Sequence, residues 1–179
     1  MNDSLISVAP SFDSPLEMLE ACHGRVQAQL KTLARLAAWL PAHGADEQAR
    51  QAAAAVMRYF DVAAVHHHMD EEEDLFPALL ARVETGRRAP LQALIDWILA
   101  DHQRMFAAWA QLRAVLQRIA AGEAAVLDAA QVEEFAARYQ HHIEREEGEL
   151  LPWARELLSA ADMAALGGSM TERRRQPAG

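Results

Sequence analysis

One pattern, His-x-x-x-Glu-Glu-x-x-Leu-x-Pro, occurs twice in this chain, as His67, Glu71, Glu72, Leu75 and Pro77 and again as His142, Glu146, Glu147, Leu150 and Pro152. A histidine and a glutamate four residues apart share one face of a helix, and leucine one turn further on turns that face toward a core. Two more histidines, His23 and His102, stand at nearly the same separation, each four residues after an aliphatic side chain, Leu19 and Ile98. The chain therefore reads as a duplicated helical hairpin. Each copy has one lone histidine on its first helix and a His/Glu pair on its second.

Alanine and leucine dominate between the motifs, and no alternating β-branched run is long enough for a strand, so the expected fold is all-α. Ser14-Pro15-Leu16-Glu17 has the form of a capping box with proline at the first helical position, which starts a first helix that Pro41 and Gly44 stop near Leu40. Asp46 caps a second helix running through the first motif toward Gly86, kinked or loosened at Pro77. A third runs from Pro90 to near Gly122, and a fourth starts at Asp128, with Gln131 three residues on, and carries Pro152 at the matching motif position. Four long helices with short connections predict an up-down-up-down four-helix bundle. A short C-terminal helix capped by Ser159 and Asp162 is expected to end at Gly167 and Gly168, with a frayed tail from Met170. The expected divisions are an N-terminal extension 1–13, the bundle 14–158, and a short helix with a basic tail 159–179.

At 179 residues the chain suits one domain with a complete core. Its net charge of −9 repels a phosphate backbone, and its one basic cluster is Arg173 to Arg175, which argues against a nucleic-acid partner. No stretch approaches the ~18 apolar residues of a membrane span, and the N-terminus has no signal-like apolar run, so a soluble cytoplasmic protein with no membrane partner is expected. The single cysteine, Cys22, cannot close an internal disulfide and reads as a small helix residue.

Helical phase sorts the eight histidines. His23 falls in line with Leu16, Leu19, Val26, Leu30 and Leu33, and His67 follows Val56, Phe60 and Ala63 and precedes Glu71 and Leu75. His102 is in register with Leu91, Ile95, Ile98, Phe106 and Trp109, and His142 follows Val132, Phe135 and Tyr139 and precedes Glu146 and Leu150. By the same test His68, which shares a face with Asp61, and His141 belong at the surface or one layer back from the site. His66 falls outside and His43 in a solvated loop. The acidic run Asp70 to Asp74 is expected to be mostly an exposed face.

Two carboxylates in a core of leucine, phenylalanine and tryptophan each cost several kcal/mol unless something cationic compensates them. No lysine or arginine lies on those stripes near the motifs, and a pair of divalent cations supplies the missing charge. The sequence therefore points to a metal site rather than an empty polar core. Four imidazoles and two carboxylates suit iron or zinc, and manganese less well. Two glutamates from opposite helices can each bridge a pair of ions, which leaves positions vacant for a small molecule and matches a closed, mononuclear structural zinc site poorly. Tyr139, one turn before His142, is a candidate hydrogen-bond donor to a bound oxygen species or, equally, a core tyrosine bonded elsewhere. Asp101 is read as orienting a neighbouring imidazole. Glu72 and Glu147 are read as solvated or as occupants of an open position.

His23, the run His67 to Pro77, the pair Asp101-His102 and the run His142 to Pro152 together resemble the hemerythrin-like HHE cation-binding domain, over about Ser14 to Glu156. The resemblance implies two iron ions in a non-haem di-iron centre, with room for an oxo bridge. It also implies Glu71 and Glu146 as bridging carboxylates and His23, His67, His102 and His142 as terminal ligands. Two departures separate the chain from the oxygen carriers of that family. The position of their further histidine, four after the one on the third helix, is Phe106, and their fourth-helix aspartate is replaced by Glu146 or Glu147. The His/Glu set is closer to bacterial HHE proteins of iron handling, although the cysteine-bearing domain of the iron-sulfur repair members is lacking. The expected function is a binding protein that handles O₂, NO or iron in stress response. The alternatives are a di-iron enzyme reducing NO or peroxide, or a metal-bound regulatory module that acts through an unknown protein partner.

Overall fold

A computed structural model describes residues 11–175, so most of the 1–13 extension and the end of the basic tail lie outside the described residues. Those described are helical, with no strand among them. Helix α1 spans Pro15–His43. Helix α2 runs from Glu47 to Arg82 as α-helical pieces Glu47–Arg58, Ala64–Met69 and Phe76–Arg82, joined by wider π turns at Tyr59–Ala63 and Asp70–Leu75. Helix α3 is Arg88–Ala120, entered through a 3₁₀ turn at Thr85–Arg87. Helix α4 comprises Ala129–Arg145, a π turn at Glu146–Leu150, and Leu151–Leu157. Helix α5 is Ala160–Arg175. Helices α1 and α3 each pack against both α2 and α4, so the four long helices close a ring of contacts. No helix among the described residues is long and apolar enough to cross a membrane.

Local chemistry explains the boundaries, including those that differ from expectation. The side chain of Ser14 makes no capping hydrogen bond, although its carbonyl accepts from Met18 N at 3.0 Å. Helix α1 passes Pro41 and ends at His43, because a proline in the last turn removes only one hydrogen bond there. Gly44, at φ +63°, takes the left-handed conformation that ends it, its N–H donating to the Leu40 carbonyl at 2.8 Å. Asp46 and Asp128 act as caps, accepting from Ala49 N and Ala130 N at 2.8 and 2.9 Å. Two of the π turns end just before Pro77 and Pro152; a wider turn is a local relief for the crowding proline causes behind it.

The apolar core is divided. One buried cluster contains Val26, Leu30, Leu33, Val56, Phe60, Leu112, Leu116 and Phe135, and the other contains Leu16, Leu19, Leu75, Leu79, Leu91, Ile98, Leu150 and Met170. His23, His67, His102 and His142 each fall in sequence between residues of the two clusters, and all are buried. Phe106, expected on the inner stripe of α3, is 37% exposed, and Met105 is buried in its place. Cys22 is free and buried, with Arg25 Nη2 3.0 Å from its sulfur.

Helix α5 departs most from the sequence reading. It begins with the expected Ser159–Asp162 box, in which Asp162 Oδ2 accepts from Ser159 N at 2.9 Å and Asp162 N donates to Ser159 Oγ at 3.2 Å. It then continues through Gly167 and Gly168 and past Met170, which is fully buried. Each glycine costs a helix about 1 kcal/mol, and burial of Leu166 and Met170 offsets that. Gly167 is required by packing, since a Cβ there would lie 1.9 Å from the Phe12 carbonyl oxygen.

Arg173 and Arg174, expected in a free tail, both bind Asp70, whose side chain is fully buried. Arg174 Nη2 lies 2.6 Å from Asp70 Oδ2, and Arg173 also reaches Glu73 and Asp74 at 2.9 and 2.7 Å. Helix α5 thus clamps the π turn just beyond His67. Removing both partners leaves an uncompensated buried carboxylate, so Arg173→Ala/Arg174→Ala is expected to lose about 3–5 kcal/mol in urea unfolding of the metal-free protein. Arg175→Ala, whose guanidinium is exposed, serves as the control, and equal losses in the two variants would contradict the clamp.

Candidate metal centre

Four helices bring six of the sequence-predicted residues together. His23 comes from α1, His67 and Glu71 from α2, His102 from α3, and His142 and Glu146 from α4, and each is at most 3% exposed. Their donor atoms form two groups, His23 with His67, Glu71 and Glu146, and His102 with His142 and Glu146.

The carboxylates span these groups. Glu146 directs Oε2 at His23 Nε2, 3.1 Å away, and Oε1 at His142 Nε2 and His102 Nε2, 2.7 and 3.8 Å away. Glu71 places Oε1 3.5 Å from His67 Nε2 and Oε2 3.5 Å from His102 Nε2. Each carboxylate therefore offers one oxygen to each pair of histidines.

Acidic side chains stand on the far sides of three rings and are hydrogen-bonded to two of them. His102 Nδ1 lies 2.6 Å from Glu72 Oε1, His23 Nδ1 2.9 Å from Glu147 Oε1, and His142 Nδ1 3.3 Å from Asp101 Oδ2. A carboxylate at Nδ1 fixes the ring and leaves Nε2 for a ligand, the arrangement usual behind metal-bound histidine. Asp101 is itself held by Arg138 Nη1 at 2.9 Å. Asp101 faces His142 through charge rather than a well-aligned hydrogen bond, while Glu72 and Glu147 have roles that helical phase does not reveal. The repeat carried the signal, since the second glutamate of each motif reaches the lone histidine of the other copy.

Electrostatics show what the arrangement lacks. Glu71 is pushed well above the usual carboxylate range, by burial first and the Glu146 charge second. Burial would raise Glu146 too, but His142, His102 and His23 outweigh it and hold Glu146 well below that range. The same contest raises His142 to about 9, with Glu146 and Asp101 prevailing over burial. His67 is driven well below the ordinary imidazole range by burial and by neighbouring histidines. His23 Nε2, Glu71 Oε2 and both Glu146 oxygens are buried without a well-aligned hydrogen bond, although imidazole nitrogens stand 3.1 and 2.7 Å from the two Glu146 oxygens. Buried orphans of this kind call for a partner, and nitrogen and oxygen donors in this number fit divalent cations.

The other predicted residues occupy varied positions. Tyr139 is buried among Phe60, Phe135 and His68, with ring centroids 5.6, 5.1 and 6.4 Å away, and burial chiefly raises its hydroxyl pKa. His43 and His141 are exposed and His66 is half-buried. His68 differs from expectation, being 2% exposed and stacked on His102 with centroids 4.0 Å apart. The π turn at Tyr59–Ala63 adds about one residue to the helical phase, so Ala64 rather than Ala63 is buried and His68 joins His67 inside. Asp70, expected on an exposed face, is buried with its two arginines.

Residues 14–154 match the family described as Hemerythrin HHE cation binding domain, and the chain belongs to that family. It is also similar to a protein from Haemophilus influenzae (strain ATCC 51907 / DSM 11121 / KW20 / Rd) described as an uncharacterized protein, with 32% identity over 165 residues and 92% of each chain covered. The HHE domain and the buried His/Glu groups suggest metal binding.

Glu72→Gln and Glu147→Gln are each expected to weaken divalent-metal affinity by about 10–100-fold in calorimetric titration, with unchanged far-UV dichroism. The exposed Glu144→Gln is the control. Affinities unchanged from the parent would show that these carboxylates do not position the rings.

Proposed function

We propose that the protein is a non-haem di-iron binding protein that handles O₂, NO or exchangeable iron in the cytoplasm under oxidative or nitrosative stress. The observation that carries this reading is the posture of Glu71 and Glu146, each offering one oxygen to His23 or His67 and the other to the His102 side. A single ion would need only one such group. Two ions sharing both carboxylates engage the oxygens of both and more than offset their buried negative charge. On this reading His23 and His67 would hold one iron and His102 and His142 the other, with Glu71 and Glu146 available to both. The four long helices form an up-down-up-down bundle over 14–158, supported by the contacts of α1 and α3 with both α2 and α4. Helix α5 acts as its clasp.

Two bound iron ions would supply the electrons and open positions with which O₂ or NO interacts. The chain's own residues hold two ring planes through Glu72 and Glu147, place the Asp101 charge behind His142, keep bulk water out with the flanking apolar clusters, and set Tyr139 beside the site. Anaerobically reduced, iron-loaded protein is expected to change its visible spectrum on addition of O₂ or NO and to stop at about one equivalent per centre. No spectral change would refute small-ligand binding, and sustained consumption of NO or peroxide would favour the enzymatic alternative.

A further inference from the structure

The two donor groups are unequal. The first has four members, His23, His67, Glu71 and Glu146, and the second has three, His102, His142 and Glu146. Beside the poorer group lies a histidine to which the reading above gives no task. His68 is buried, and its Nδ1 has no hydrogen-bond partner. Leaving a buried polar atom unpaired is destabilising, a cost that a purely structural core position avoids by carrying an apolar side chain. The His68 ring centroid is 4.0 Å from that of His102, closer than the 4.8 Å between His102 and His142.

We propose that His68 is a ligand of the second cation, completing with His102, His142 and Glu146 a set equal in number to the first. The proposal rests on the dinuclear reading of the site. As placed, the His68 nitrogens lie outside both donor groups, so binding requires the ring to turn about its side-chain torsions. The nearest aromatic neighbour on the outer side is Phe106, edge-on at 5.2 Å and 37% exposed, a wall with room to yield. Phe106 stands one helical turn after His102, so a histidine substituted there would offer a nitrogen to the same place from α3 rather than α2.

The test uses the full chain loaded with Co²⁺, whose paramagnetism shifts the ring N–H proton of each coordinated histidine to its own exchangeable signal. The wild-type protein is expected to take up two ions and to show one more such signal than His68→Leu. In His68→Leu the first ion should bind as before, which also establishes that the variant is folded, while affinity for the second falls by about tenfold or more. The double variant His68→Leu/Phe106→His should recover the second ion. Two ions bound by His68→Leu with unchanged affinity and an unchanged count of signals would overturn the assignment of His68 alone. Uptake of a single ion by the wild-type protein would overturn the dinuclear reading and this proposal together.

Discussion

Glu71 and Glu146 lie side by side in the middle of an apolar protein, and most of the structure is arranged around that fact. Two ionised carboxylates so placed repel each other and lose their hydration, at a cost of several kcal/mol each. Without cations the surroundings distribute that cost unequally: Glu71 is driven toward its neutral form, and Glu146 collects the imidazoles of His142, His102 and His23. The core is split into two apolar clusters with the histidines between them. Water is thereby excluded, and the strength of any cation–carboxylate interaction formed there rises as the local dielectric falls.

Duplication explains how so few residue types achieve this. The second motif glutamate of each copy reaches across to the lone histidine of the other, Glu72 to His102 and Glu147 to His23. The two halves therefore cross-brace, and neither hairpin completes its site alone. The symmetry is broken outside the centre. Asp70 beside Glu71 is locked by Arg173 and Arg174 of the C-terminal helix, whereas Asp101 beside His102 is locked by Arg138 of α4 and in turn faces His142. His68 has no counterpart facing inward on α4, where the matching Ile143 is apolar.

Much of this was legible in the sequence, for physical reasons that also mark where legibility ended. Ideal helical phase brought His23, His67, Glu71, His102, His142 and Glu146 to one layer because each lies within a turn or two of strongly apolar neighbours. Phase failed at His68 and Ala64, because a π turn at Tyr59–Ala63 carries no proline to announce it and rotates the next stretch of helix. It failed again at Phe106, where Met105 takes the inner position. The clamp was hidden for another reason. The partners of Arg173 and Arg174 lie about a hundred residues earlier, and a basic run after two glycines reads locally as a tail. Only tertiary packing of Leu166 and Met170 carries helix α5 past those glycines.

The central claim is that both glutamates straddle two cations. Anomalous diffraction at the iron edge from crystals of the iron-loaded protein tests it most directly. Two peaks are expected, one against His23 and His67 and the other against His102 and His142, with Glu71 and Glu146 reaching both. A single peak, or peaks away from these side chains, would contradict it.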